Sequence, residues 1–117
     1  MEAKVNLAEW TIETEQQLQI SAGDDLAIIK DDVANQRANL WLCQSDKNRA
    51  YVVTRIDYNE LVIVLFEGSG LYEFMPLFID RATELNLKIR AHIKRKGLIK
   101  MGQKLGFEID EYILRKK

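Results

Sequence analysis

The stretch that decides the fold is Leu61-Val-Ile-Val-Leu-Phe66, followed at once by Glu67-Gly-Ser-Gly70. Every side chain of the first six is apolar, which predicts a central strand covered on both faces. The glycines predict a tight bend, and a helical stripe comes next, formed by Leu71, Phe74, Phe78, Ile79 and Ala82. Since proline is tolerated in a first helical turn, Pro76 predicts either a helix from near Met75 or an irregular turn before it.

Downstream of this stretch, Leu87 to Ile93 alternates as a strand does. A strand, a crossover helix and a second strand predict a βαβ unit with the two strands parallel. A short helix is expected from Gly97 to Leu105, and a last strand from Phe107 to Leu114. A change of phase near Asp110 predicts a bend in that strand.

Upstream, two strands are predicted from Asn39 to Gln44 and from Tyr51 to Ile56, joined by a hairpin turn. With the apolar run they make an antiparallel meander. Asn6 and Glu9 match a capping box, so a helix to about Gln19 is expected. Asp24 is the expected cap of a second helix.

Composition points to one globular domain, 1–117, because 47% of the residues are hydrophobic and 30% are charged. No apolar run is long enough to cross a bilayer, and the first residues lack a signal-peptide pattern, so a cytoplasmic location is expected. A metal site is not expected, since the chain has one cysteine, Cys43, and one histidine, His92.

The charge is divided along the chain. Residues 1–78 hold six basic and thirteen acidic side chains, whereas residues 79–117 hold eleven basic and five acidic ones. Either the two surfaces neutralise each other, or the C-terminal part faces an anion such as a phosphorylated cofactor or a nucleic acid. A nucleic-acid partner is not expected, because basic and aromatic residues are not interleaved and the pI is about 5.9.

The order of elements resembles the GNAT N-acetyltransferase superfamily. The tail Leu98-Ile-Lys-Met-Gly-Gln-Lys-Leu-Gly-Phe107 is similar to the fourth-helix motif of that family. The preceding Arg90-Ala-His-Ile-Lys-Arg-Lys-Gly97 resembles short GNAT-like proteins of phages and prophages. The resemblance implies an α/β fold with a central twisted mixed sheet, an antiparallel meander, a βαβ crossover and flanking helices.

The resemblance also implies an acetyl-CoA site where the fourth and fifth strands splay apart. Backbone amides at the bend would hold the pyrophosphate, and the implied cofactor residues are Leu65, Phe66, Gly68, Ser69, Gly70 and Leu71. The alternative for the glycines is that they only allow a tight turn. Two positions depart from the family, since Leu65 stands where Gln or Arg is usual and Gly102 where a tyrosine is. Lys94 and Lys96 would meet a CoA phosphate, a nucleic-acid backbone or only water.

Three residues are candidates for proton transfer. Glu67 would act as general base on an attacking ammonium, or is an ordinary solvated carboxylate. His92 is a base that needs little tuning, or a structural residue. Tyr112 or Tyr72 would replace the missing general acid, whereas Cys43 is expected to be a buried packing thiol.

Two functions follow from the resemblance. The first is transfer of an acyl group from acetyl-CoA to an amine of a small molecule or a protein. The alternative is a catalytically inactive GNAT-fold protein, a phage accessory that binds a protein partner or pairs as a homodimer.

Overall fold

The computed structural model describes residues 3–92, 108–110 and 113–116, with side chains for residues 3–91. The strands are β1 (Lys4–Leu7), β2 (Asn39–Gln44), β3 (Arg49–Asp57), β4 (Glu60–Gly68), β5 (Lys88–His92), β6 (Glu108–Asp110) and β7 (Ile113–Lys116). The helices are α1 (Ile12–Ala22), α2 (Leu26–Ala34) and α3 (Leu71–Glu84), with a 3-10 turn at Gly23–Asp25.

The seven described strands form one mixed sheet in the order β1-β2-β3-β4-β5-β7-β6. β1 to β4 are antiparallel neighbours, β4 and β5 are parallel, and β5, β7 and β6 are antiparallel again. The helix α3 makes the crossover between the two parallel strands. The predicted meander, βαβ unit and α/β mixed-sheet class are therefore confirmed.

Helices cover both faces of the central strand β4. On one face, Ile63 and Phe66 pack with Phe74 and Phe78 of α3. On the other face, Leu65 packs in a cluster that contains Leu18 of α1 and Ile29 of α2. The unbroken apolar run is a consequence, because a strand covered on both sides loses the polar alternation of a half-exposed one. No helix in the described part of the chain is long and apolar enough to span a membrane.

The N-terminal segment differs from the expectation. Residues Lys4–Leu7 form a strand paired with β2, and α1 begins only at Ile12, so the helix cap predicted at Asn6 is wrong. The actual cap is Thr11, whose side chain accepts a hydrogen bond from the Thr14 amide at 3.1 Å. The side chain of Thr14 accepts in return from the Thr11 amide at 3.2 Å. Pairing along the edge of the sheet outweighs the local helical signal in this segment.

Pro76 lies inside α3, in its second turn, because the helix already begins at Leu71. A start near Met75 was wrong, and the reason is burial. Leu71, Phe74 and Met75 are all buried, so the first turn and a half of the helix covers the sheet. That burial offsets the cost of the backbone hydrogen bond that proline cannot donate.

The predicted last strand is two strands. β6 and β7 pair antiparallel, with Ile109 opposite Leu114. The change of phase near Asp110 therefore separates two paired strands and does not mark a bend within one. The helix predicted from Gly97 to Leu105 lies outside the described residues.

The N-terminal boundary can be tested with two matched substitutions. We expect Thr11→Ala to lower the free energy of unfolding by about 1 kcal/mol, because it removes the helix cap. Asn6→Ala should change it by less than about 0.5 kcal/mol, since Asn6 is an exposed residue of an edge strand. Urea denaturation of both variants measures the difference, and a larger loss for Asn6→Ala would contradict this boundary.

Candidate functional site

A bulge in β4 divides the strand into two parts. Val53 lies opposite Leu65 while the next residue of β3, Thr54, lies opposite Ile63, so Val64 is the extra residue. A bulge of this kind bends its strand and increases the local twist. The parallel pairing with β5 covers Glu60 to Ile63 and ends at Ile63 and Ala91.

The described pairing between β4 and β5 ends at the bulge. Continuing the register would place Val64 beside His92, yet these two described residues are not paired. β4 runs on to Gly68 with β3 as its partner on the other edge. The residues that directly follow His92 lie outside the described part of the chain, and among the described residues no strand pairs with the β5 side of Val64, Leu65 and Phe66. We call this side of β4 the wedge. The resemblance implies that the two strands splay apart here, and that separation stays a prediction.

The bend after β4 places the start of α3 at the open end of this wedge. Gly70 is the helix cap, with a positive φ of 91°, and no side chain caps the helix. The amides of Glu73 and Phe74 donate to the Gly70 carbonyl at 3.0 and 2.9 Å. Among the described residues, no partner is found for the amides of Gly70, Leu71 and Tyr72. Three free amides at a positive helix end are suited to an anion.

The two glycines are required by the strand next to them. A Cβ on Gly68 would lie 2.4 Å from the Arg49 carbonyl oxygen, and one on Gly70 would lie 2.6 Å from Asn48 Cβ. Gly68 also has a positive φ, 134°. Both absent side chains thus make room for the start of β3 and the turn before it, which favours the tight-turn interpretation of these glycines.

Ser69 joins the bend to β3. Its amide donates to the Arg49 carbonyl at 3.0 Å, and its hydroxyl accepts from the Arg49 amide at 3.2 Å. The Ser69 amide is therefore occupied, unlike those of the three residues that follow it. The amides without a described partner therefore lie at Gly70, Leu71 and Tyr72, closer to α3 than the predicted cradle. Tyr72 was predicted only as a substitute general acid and not as part of that cradle.

The β2–β3 turn, residues 45–48, is hydrogen-bonded to the first turn of α3. Ser45 Oγ donates to Glu73, and Asn48 Nδ2 donates to Glu73 Oε1 at 3.1 Å. These bonds hold the pKa of the Glu73 carboxyl below its usual range. The stabilisation is present above the ordinary carboxyl pKa and is lost as the pH falls through the lowered value. Sequence reasoning missed this contact, because it joins residues 28 and 25 positions apart.

The remaining predicted cofactor residues are buried. Leu65 packs in the α1–α2 cluster, whereas Phe66 and Leu71 pack in the α3 cluster. Their side chains face the core, so only their main-chain groups are available to a ligand. Lys94 and Lys96 lie outside the described residues.

The catalytic candidates lie at different depths of the wedge. Glu67 is half-buried near the end of β4, opposite Tyr51 of β3 and directly before the bend. His92 ends β5, where its backbone pairs with Ile113, at the closed end of the wedge. At roughly 3.3 Å per strand residue, Glu67 lies about 10 Å along β4 from Val64. Tyr112 lies outside the described residues.

Cys43 is buried in the α3-side core. Burial raises the pKa of its thiol to about 12, so the neutral form predominates at physiological pH. A neutral, buried thiol is a poor nucleophile, which agrees with a packing role. Within the described residues there is also no group of three His, Cys, Asp or Glu side chains that could hold a metal ion.

A cavity lies beside the C-terminal half of α3. It is a cavity of about 530 Å³ between that helix and β1 to β3, and its lining includes Trp41, Ile56, Leu77, Phe78 and Leu85. It adjoins Leu61 at the paired end of β4. The wedge and this cavity are therefore separate features.

Two solved structures resemble this arrangement. An acetyltransferase from Bacillus subtilis, crystallised in complex with CoA, matches with a TM-score of 0.69 and 15% sequence identity, covering 93% of this chain and 78% of that one. The PaiA N-acetyltransferase from Thermoplasma acidophilum, in complex with coenzyme A, matches with a TM-score of 0.62 and 11% identity, covering 100% and 99%. The chain has a GNAT acetyltransferase fold.

The GNAT resemblance of the sequence is thereby confirmed at the level of the fold. No family model matches the sequence, and no curated protein matches it. At 15% and 11% identity, the two structures show the fold of the chain and not its activity.

The role of the bend glycines can be tested against a control. Gly23 also has a positive φ, 53°, but a Cβ there meets nothing within 4 Å. We expect Gly23→Ala to cost about 1 kcal/mol for its backbone conformation alone. Gly68→Ala should cost at least about 2 kcal/mol more, because the new Cβ meets the backbone of β3. Chemical denaturation measures both values, and equal losses would show that the contact with Arg49 is not the constraint.

Proposed function

We propose that this protein binds acetyl-CoA in the wedge between β4 and β5 and transfers the acetyl group to an amine. The observation that carries the proposal is the end of the described β4–β5 pairing at the Val64 bulge, on the same strand that leads to the amides of Gly70, Leu71 and Tyr72, which have no partner among the described residues. Two proteins of the same fold were crystallised with CoA. That shared fold supports the choice of ligand.

The exposed main chain fits such a ligand in two places. The amides of Gly70, Leu71 and Tyr72 would hold the pyrophosphate, since they donate to no described group and the helix end is positive. The β5-facing main chain of Val64 to Phe66 would pair with the amide-containing pantetheine arm in the way that an added strand would. Both sites use backbone groups, so neither depends on the identity of Leu65 or Phe66.

The position of His92 favours it over Glu67 as the general base. If the phosphates lie at the bend, the reactive end of the donor lies deeper in the wedge, toward Val64 and His92. Glu67 adjoins the bend, where its negative charge would stand near the phosphates. We therefore assign the role of general base to His92 and assign no proton-transfer role to Glu67.

When bound, acetyl-CoA supplies an acetyl group already activated as a thioester. A neutral His92 imidazole would accept a proton from the substrate ammonium, and the free amine would then form the new bond to the acetyl carbon. The bond from that carbon to sulfur would break, and the departing thiolate would take up the proton that the attacking nitrogen loses as the amide forms. Backbone amides near Val64 would stabilise the charge that develops on the carbonyl oxygen. The walls of the wedge would hold the reactants in position and limit access of water.

A second candidate is a catalytically inactive GNAT-fold protein, the phage accessory or protein-interaction role suggested by the Arg90–Gly97 segment. What supports it is Leu65, an apolar buried residue where the family usually has Gln or Arg. A protein partner or a homodimer would belong to this alternative. Binding without turnover would favour it over the enzyme.

Ligand binding is the first test. Acetyl-CoA and CoA at about 100 times their Kd should each stabilise the protein by about 2.7 kcal/mol, because a ligand that binds the folded state shifts the unfolding equilibrium. Thermal denaturation measures the shift, with inorganic pyrophosphate plus acetate as the control mixture. If neither acetyl-CoA nor free CoA raises the Tm at millimolar concentration, the enzyme proposal fails, and the inactive alternative, which needs no CoA, is favoured.

The assignment of the base is tested by comparing two substitutions. We expect His92→Gln to lower kcat with an amine panel by about 100-fold or more, with KM for acetyl-CoA unchanged. The wild-type rate should rise with pH as the base loses its proton, and the variant should lose that rise. Glu67→Gln should keep both kcat and the pH profile. If Glu67→Gln loses the rise in rate and His92→Gln retains it, the assignment is reversed.

A further inference from the structure

A phosphate at the bend calls for a cation, and the residue expected to supply one is absent. Leu65 stands at the position where the family usually has Gln or Arg. Its side chain is only 6% exposed and packs with Leu18 and Val53, on the face of the sheet opposite α3. A replacement must therefore come from another part of the chain.

Two described cations adjoin the bend in the fold, and one of them is occupied. Arg49 pairs with Glu13 at 3.3 Å, donates to the Tyr51 hydroxyl at 3.3 Å and lies over the Tyr51 ring. These contacts direct its guanidinium toward α1. Lys47 is exposed, and among the described residues it has no ion pair within 4 Å.

Lys47 is held next to the first turn of α3. Its neighbours in the β2–β3 turn, Ser45 and Asn48, both donate to Glu73. Asn48 also packs against Gly70, where an added Cβ would come within 2.6 Å. The charge of Lys47 is close enough to contribute to the lowered pKa of Glu73. The backbone of Lys47 is thus fixed beside the free amides, while its flexible stem extends into solvent.

We propose that Lys47, presented by the β2–β3 turn, binds the pyrophosphate of CoA at the amides of Gly70, Leu71 and Tyr72. This inference rests on the proposed function. An ammonium group on a flexible stem suits a phosphate, since it is a compact charge with three donors.

The test is the affinity of the full chain for CoA, measured by calorimetry. We expect Lys47→Gln to raise the Kd about three- to ten-fold, the effect of losing one solvent-exposed charged contact. The difference from wild type should shrink in high salt, because salt screens exposed charges. Lys88→Gln is the matched control. Lys88 is an exposed lysine at the start of β5, opposite Glu60 in the backbone register, and it lies at the other end of β4 from the bend. It should change the Kd less than about two-fold.

Dephospho-CoA, which keeps the pyrophosphate and lacks the ribose phosphate, locates the contact. Lys47→Gln should weaken both ligands by the same factor, with the Tm of the free variant unchanged. A loss seen with CoA alone would overturn the assignment to the pyrophosphate. If wild type binds CoA and Lys47→Gln binds it equally well, the inference fails and the proposed function stands. If wild type does not bind CoA, the proposed function itself fails.

Discussion

The structure depends on the divided pairing of β4. Up to Ile63 this strand has neighbours on both edges, and from Val64 onward its described partner is β3 alone. Main-chain donors and acceptors within a fold are nearly always satisfied, so the β5 side of Val64 to Phe66 must bond to water, to a ligand or to residues outside the described part of the chain. The proposed ligand would be added here as a strand, directly after the bulge.

The sequence predicts β4 well but could not predict its bulge. Leu61 to Phe66 is apolar at every position, and both faces of the strand are covered by helices. A shift of one residue therefore exchanges one buried apolar side chain for another. In a strand with one polar face, the same shift would expose a hydrophobic residue and would leave a mark in the pattern. The apolar residues on both faces predict the strand, but they do not determine which residues of the neighbouring strand lie opposite them.

The errors at the N-terminus and in α3 have a common cause. Asn6 and Glu9 satisfied a local rule for helix capping, but pairing of Val5 with Cys43 of β2 decides the segment. Pro76 satisfied a local rule for helix starts, but burial of Leu71 and Phe74 extends the helix past it. In both places a contact between distant residues outweighs a preference of about 1–3 kcal/mol. Side chains that repeat along one face, as in α3, predicted the element itself correctly.

The candidate site shows the limit of motif reasoning most clearly. The resemblance implied an anion site at the Gly-x-Gly bend, and the amides of Gly70, Leu71 and Tyr72, which have no partner among the described residues, are compatible with it. Yet the space left by each glycine is filled by β3 and its turn, so the glycines are explained without any ligand. The same packing joins the bend, residues 45–48 and the first turn of α3 into one unit. An anion at that unit would meet amides from the helix and a cation from the turn, a combination that only contacts between distant segments reveal.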